Sequence, residues 1–220
     1  MKNFVFFSDF DGTITKEDTL NKFLQLYAYP EWIDVENKWL NGEIGSKECI
    51  EKQMQMFPPM NDKIIDDFVN SIEIDETFSD FFNYLKSENI NFYIVSDGFD
   101  LFIEKILKKY NIKDIKIFSN KLKLVNGKFE TEFPNYNPSC KRQSGVCKCN
   151  VLNNKNKIVT KRVLYVGDGL SDFCVSSKVD ILFAKGSLLE YCKNTKNKDF
   201  NINPIGFDAF SEIKNYIKSV

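Results

Sequence analysis

The sequence predicts an α/β protein built on a doubly wound parallel sheet, and three observations predict it. Four continuous runs of apolar β-formers alternate with amphipathic helical patterns. Residues 16–75, directly after the first run, carry helical patterns and no strand. One Asn-Gly pair lies between two segments of alternating polarity. Fully apolar strands belong to sheets covered on both faces, and strands alternating with helices give parallel sheets with right-handed crossovers. The expected architecture is therefore a Rossmann-like core with an inserted helical cap and a small β-hairpin.

In chain order, residues 3–8 (Asn-Phe-Val-Phe-Phe-Ser) form the first buried strand. Helices are expected near 18–28, 31–40, 46–57 and 61–72, punctuated at Pro30, Gly42, Gly45 and Pro58-Pro59. A helix at 77–87 turns Phe78, Phe81, Phe82 and Leu85 inward, and the run 91–96 is a second strand. The helix at 99–110 buries Phe102, Ile103, Ile106 and Leu107, and 115–118 is a short further strand. Asn126-Gly127 predicts a hairpin between 121–125 and 128–133. Two more strands follow at 162–167 and 179–184, while the Lys/Asn-rich stretches 153–157 and 193–198 read as solvated loops. The division expected is a core of 1–15 and 76–220 with a cap over 16–75.

Composition narrows the chemistry. The 220 residues hold 30 basic and 31 acidic side chains and no histidine. A net charge of -1 supplies no basic field for nucleic acid or anionic lipid, so neither partner is expected. Without histidine, His-based triads and His-ligated metal sites are excluded. Proton transfer then falls to carboxylate, lysine, cysteine or hydroxyl groups. Only Arg142 and Arg162 represent arginine, neither completes a Cys-x5-Arg loop, and no phosphate-binding Gly-x4-Gly-Lys-Ser/Thr string occurs. The apolar run Phe4 to Phe7 is too short for an export signal core, and no stretch approaches a membrane span. Six cysteines then read as reduced thiols in a cytoplasmic protein. Oligomeric state is not legible.

Two carboxylate clusters fall at strand ends, where open α/β sheets bind ligands. Ser8-Asp9-Phe10-Asp11-Gly12-Thr13 follows the first strand, and Gly167-Asp168-Gly169-Leu170-Ser171-Asp172 ends a later one. Converging carboxylates raise one another's pKa, and a hard cation resolves the conflict. Mg²⁺ suits one or two carboxylates plus water and a phosphate. Ser96 in Val95-Ser96-Asp97-Gly98 offers a hydroxyl and a loosened backbone for an anion.

Asp9-Phe-Asp-Gly-Thr13, Ser96, Lys148 and Gly167-Asp-Gly-Leu-Ser-Asp172, in that order, resemble the four motifs of the haloacid dehalogenase-like hydrolases. The helical insertion resembles the cap of their phosphoserine-phosphatase branch. Residues 94–100 and the cysteines ahead of Lys148 resemble the methionine-salvage ketopentyl-phosphate phosphatases and the phosphoethanolamine/phosphocholine phosphatases. The resemblance implies an Mg²⁺-dependent phosphatase acting on a small phosphomonoester through an aspartyl-phosphate. It implies Asp9 as nucleophile and Asp11 as general acid/base. Asp9, the Asp11 carbonyl and Asp168 would hold Mg²⁺, with Asp172 orienting the ion or its water. Ser96, Gly98 and Lys148 would bind phosphoryl oxygens, and Thr13 would fix the loop at that phosphate site. A phosphotransferase or mutase on the same scaffold, or a low-turnover phosphometabolite-binding protein, is the alternative.

The substrate is less legible. Residues 14–90 contain no arginine, which argues against a substrate carboxylate gripped by a bidentate fork. Asp18 and Asp97 are candidates to receive an amine or hydroxyls, and Trp32, Trp39 and Tyr27 to line a pocket or pack within the cap. Cys140, Cys147 and Cys149 would bind metal, pair, or stay free, the last being the reading adopted. Cys49, Cys174 and Cys192 read as helical core.

Overall fold

The computed structural model describes residues 3–156, 162–194 and 203–220. The strands are β1 (Phe4–Ser8), β2 (Asn91–Phe99), β3 (Lys116–Val125), β4 (Lys128–Glu132), β5 (Arg162–Gly167), β6 (Ile181–Ala184) and β7 (Ile205–Gly206). They form one sheet in the order β4-β3-β2-β1-β5-β6-β7, parallel throughout except for the β3–β4 hairpin. β1 lies inside the sheet between β2 and β5, which is why all five of its residues are buried.

Alternation along β1 sends Phe4 and Phe6 into one core layer and Val5 and Phe7 into the other. The first layer is closed by α5 (Phe78–Ser87), α6 (Asp100–Lys109) and α9 (Phe210–Ser219), through Phe81, Leu85, Ile103, Ile106 and Ile213. The second is closed by α7 (Lys148–Asn156) and α8 (Gly186–Asn194), through Val151, Leu152 and Leu188.

Between β1 and α5 lie α1 (Thr19–Tyr27), α2 (Trp32–Leu40), α3 (Ser46–Gln53) and α4 (Asp62–Ser71). Asp18 caps α1 by accepting from the Asn21 amide, and Asn61 caps α4 through the Ile64 amide. α3 ends earlier than the pattern predicts, its last carbonyls being taken by the tight turns Gln55 amide to Lys52 and Met56 amide to Gln53 ahead of Phe57-Pro58-Pro59. The entry and exit of this segment are tied together: Thr15 bridges Ile74, the Lys16 amide donates to the Glu73 carbonyl and the Asp75 amide to the Ile14 carbonyl.

Other departures have local causes. β2 runs on through Ser96 and Gly98 to Phe99, with its register against β3 shifting between Val95 and Phe99. The short strand near 115–118 and the first hairpin arm are one continuous β3. Asn126 and Gly127 both adopt positive φ, 51° and 78°, as a two-residue hairpin turn requires. Residues 153–156 belong to α7, not to a loop, because Val151 and Leu152 anchor that helix to the core. Residues 193–194 likewise finish α8; 157 and 195–198 lie outside the described residues. Cys49 and Cys192 are buried on helices as expected, but Cys174 sits half-buried in a turn. β7 and α9 were not anticipated, since two residues of strand carry no periodicity.

Phe23 on α1 is fully buried and joins this segment to the core. Its ring lies 4.9 Å from Phe57, 4.7 Å from Phe68, 4.8 Å from Phe102 on α6 and 5.8 Å from Phe129 on β4. Phe23→Ala is expected to lower unfolding free energy by about 3–5 kcal/mol in urea titration. Phe23→Leu, which retains most of the volume, should cost less than half of that.

Candidate active site

The site grows from the way β1 ends. The Asp9 amide still donates to the Val166 carbonyl of β5, 2.9 Å away, so the chain leaves the sheet only after Asp9. It then folds onto itself, the amides of Thr13, Ile14 and Thr15 all donating to the Phe10 carbonyl while Phe10 itself is fully buried. Gly12 adopts φ +70°, and a Cβ there would lie 2.5 Å from the Asp168 carboxylate. Only glycine permits both that conformation and that approach.

β5 delivers the second cluster. Asp172 is wholly buried. Its Oδ1 accepts from Lys148 Nζ at 2.7 Å and from the Tyr165 hydroxyl at 2.5 Å, and its Oδ2 from the Asp168 and Gly169 amides at 3.1 Å. Lys148, the first residue of α7, is 1% exposed and also reaches Asp9 Oδ2 at 2.7 Å and Ser171 Oγ at 2.8 Å. Burial alone would lower the Lys148 pKa; the Asp172 and Asp9 carboxylates outweigh it and hold the ammonium charged, above the ordinary lysine range.

Burial, together with the charges of Asp172 and Asp168, pushes Asp9 well up against the opposing pull of Lys148. Burial also pushes Asp168 up to about 6, opposed by a hydrogen bond from the Thr13 hydroxyl at 2.5 Å. Asp11 is raised by burial, although Ser96 Oγ donates to its Oδ2 at 3.0 Å and the Thr19 amide to its Oδ1 at 3.3 Å.

One carboxylate oxygen from each of Asp9, Asp168 and Asp172 lies within 4.8 Å of the others. All three donors are oxygens, and their negative charge outnumbers the single Lys148 ammonium among them. That donor set fits a hard, oxygen-preferring divalent cation. The Asp11 carboxylate stands outside this group, turned toward Ser96 and α1.

Asp9, Asp11, Ser96, Asp97, Gly98, Asp168 and Ser171 open onto one cleft of about 300 Å³, whose opposite wall comes from α1, α2 and α3. No lysine or arginine is among the described lining residues. Asp18 stands at the mouth, where burial among protein atoms and the Asp11 charge push its carboxyl up to about 7.

Several expected residues are engaged in unforeseen ways. Asp97 lines the cleft, but its Oδ2 accepts from Ser46 Oγ at 2.5 Å and its Oδ1 from the Val146 amide at 2.8 Å, two residues before Lys148. The Gly98 amide donates to Ser96 Oγ at 2.9 Å. Thr13 is buried outside the cleft, its hydroxyl on Asp168 and its carbonyl accepting from Lys185 Nζ at 3.1 Å. Trp39 lines the cleft, whereas Tyr27 packs on Phe23 and Phe68 and Trp32 is not a lining residue.

All six cysteines are free thiols, with Cys149 Sγ donating to the Cys174 carbonyl at 3.0 Å. Tyr165, Ser171, Lys185, Ser46, Gln53 and Glu36 were not singled out from the sequence. Ser171 lay inside a recognised motif and was the only one with a visible signal.

Comparison with known proteins agrees with this geometry. A sequence model of the family described as "Putative Phosphatase" matches residues 4–185. The chain is 27% identical over 214 residues to a 2-hydroxy-3-keto-5-methylthiopentenyl-1-phosphate phosphatase of Bacillus cereus, covering 96% of this chain and 94% of that protein. A Bacillus anthracis protein of the same name matches equally, at 27% identity over the same shares. Among solved structures, a phospho-aspartyl intermediate analogue of phosphoserine phosphatase superposes with a TM-score of 0.70 at 20% identity, over 98% of this chain and 99% of that one. A phosphoserine phosphohydrolase-like protein of Francisella tularensis gives 0.68 at 19% identity, over 99% and 100%. The chain belongs to the family described as "Putative Phosphatase", whose model matches residues 4–185, and is a phosphoric monoester hydrolase.

Proposed function

We propose that the protein is an Mg²⁺-dependent phosphatase that hydrolyses a small phosphomonoester through a phosphorylated Asp9. The observation that carries this reading is that Asp9 and Asp11 open onto one cleft while Lys148 fixes Asp9 from behind. The Asp9 carboxylate attacks phosphorus, the bond from phosphorus to the leaving alcohol breaks, and an aspartyl-phosphate forms. Asp11, raised by burial, gives its proton to the departing alkoxide. It then takes a proton from the water that attacks the acyl phosphate, releasing inorganic phosphate and restoring the Asp9 carboxylate.

Asp9, Asp168 and Asp172 would hold Mg²⁺, with the Asp11 carbonyl beside them. When bound, the ion supplies charge neutralisation for phosphate and carboxylates. Lys148 balances part of the negative charge around Asp9, and Ser171 and Tyr165 keep it and Asp172 in place. Ser96 orients Asp11, and Thr13 orients Asp168. Residues 16–75 act as the cap, excluding bulk water from a core of 1–15 and 76–220. The tied neck at 14–16 and 73–75 supports that division. The Bacillus relatives point to a phosphorylated methylthiopentenyl compound as one substrate to test.

Asp9→Asn is expected to abolish hydrolysis of p-nitrophenyl phosphate with Mg²⁺ and to leave no acid-stable phosphate on the protein after rapid quench. Full activity in that variant would remove Asp9 as nucleophile. Asp11→Asn should slow turnover about 10²–10⁴-fold, and more for a poor leaving group such as an alkyl alcohol than for p-nitrophenol.

Metal and proton compete for the same carboxylates. A carboxyl raised in the folded state stabilises it most at low pH and loses that contribution as pH rises through its folded value, about 6 for Asp168. The chelated protein should therefore gain more in Tm from added Mg²⁺ at pH 7.5 than at pH 5. Equal gains at both pH values would place Mg²⁺ elsewhere.

A further inference from the structure

Two carboxylates, Asp18 and Glu36, stand on the far wall of the cleft among the described residues. Asp18 is spent as the α1 cap, accepting from the Asn21 amide at 2.8 Å, and Asp97 is held by Ser46 and Val146. Glu36, on α2, lines the cleft and, among the described residues, is held through Oε2 alone. Its Oε2 accepts from Gln53 Nε2 at 2.7 Å and from Cys49 Sγ at 3.7 Å. Gln53 is 2% exposed on α3, so the amide that holds Glu36 is itself immobilised by packing.

The same wall carries the apolar side chains Leu20, Leu24, Ile50 and Trp39 beside the polar Asn21, Ser46 and Gln53. With no basic side chain among the described lining residues, a second anionic group on the substrate would find no cationic partner there. A hydroxyl or ammonium would instead find an acceptor already oriented by Gln53.

We propose that Glu36, positioned by Gln53, is a specificity-determining residue that receives a hydrogen-bond donor on the leaving group, and thereby selects phosphomonoesters whose leaving group bears a donor and no carboxylate over those carrying a carboxylate. This rests on the phosphatase reading above. A charged acceptor meeting a donor is a strong hydrogen bond, and the loss falls on binding because the contact is remote from the bond that breaks. Gln53 acts through Glu36 as a positioning residue.

The test compares four esters with Mg²⁺: phosphoethanolamine, glycerol 2-phosphate, O-phosphoserine and p-nitrophenyl phosphate. They present an ammonium, hydroxyls, an ammonium with a carboxylate, and no donor. In Glu36→Gln, kcat/KM for phosphoethanolamine relative to p-nitrophenyl phosphate is expected to fall about tenfold or more, in KM rather than kcat. The glycerol 2-phosphate ratio should fall less, since a neutral hydroxyl still finds an amide oxygen. Glu36→Arg should raise O-phosphoserine relative to phosphoethanolamine. Gln53→Leu should shift the first ratio in the same direction, again in KM rather than kcat for phosphoethanolamine.

Ratios unmoved in Glu36→Gln, or a uniform fall across all four esters, would overturn the role of Glu36. Absence of any hydrolysis by the wild type would instead sink the phosphatase reading itself, so the two failures are distinguishable.

Discussion

The ammonium of Lys148, buried between the carboxylates of Asp9 and Asp172, is the interaction on which the rest of the site depends. A lysine this deep would be neutral without its partners, and two carboxylates this close would not both be ionised without it. Such a cluster is not stabilising merely because it is ionic, since taking three charges out of water costs several kcal/mol each. It persists because the remaining valences are filled by Ser171, by Tyr165 and by the amides of Asp168 and Gly169. Removing one member would strand the others, at a cost of about 3–5 kcal/mol.

That cluster also explains the folding of elements that never touch it. Lys148 must project from the first turn of α7 under the end of β1, so the approach to α7 has to be held. The Val146 amide is held by Asp97, the Cys147 amide by the Asn135 carbonyl, and Asp97 in turn by Ser46 at the start of α3. A carboxylate that looks like a substrate ligand from its place after Ser96 is thereby a brace between the sheet edge, the helical segment and the lysine. The extended β2 belongs to the same scheme, because its shifted register past Val95 is what brings Ser96, Asp97 and Gly98 to the cleft.

The core was legible because burial on both sheet faces leaves an apolar run no alternative. β1 and β5 stand where their runs predict, and the Asn126-Gly127 turn stands where its chemistry demands. Asp9, Asp11 and Asp168 were legible for a different reason: they sit at strand ends, where chain direction alone brings them together. Lys148 was not legible from chemistry, being one lysine among many, and entered only through its place in a motif order. Tyr165 reads as one more apolar strand residue until its hydroxyl is seen on Asp172. Glu36 and Gln53 are seventeen positions apart on different helices, and no periodicity within either helix encodes their meeting on one wall of the cleft.

The absence of histidine becomes consistent with the geometry once the carboxyls are considered separately. A single side chain that both donates and accepts a proton near neutrality must have its pKa lifted from the carboxylate range, and burial is the lever available. Asp11 is lifted by burial and restrained by hydrogen bonds from Ser96 and Thr19, so its environment is a balance rather than an extreme. Asp9 is in direct contact with Lys148, which opposes the rise that burial and the charges of Asp172 and Asp168 impose on it. Two carboxyls two residues apart are both lifted by burial but meet different partners, Lys148 for Asp9 and the Ser96 hydroxyl with the Thr19 amide for Asp11. Histidine would be a third titrating group in a cleft whose two ends are already differentiated.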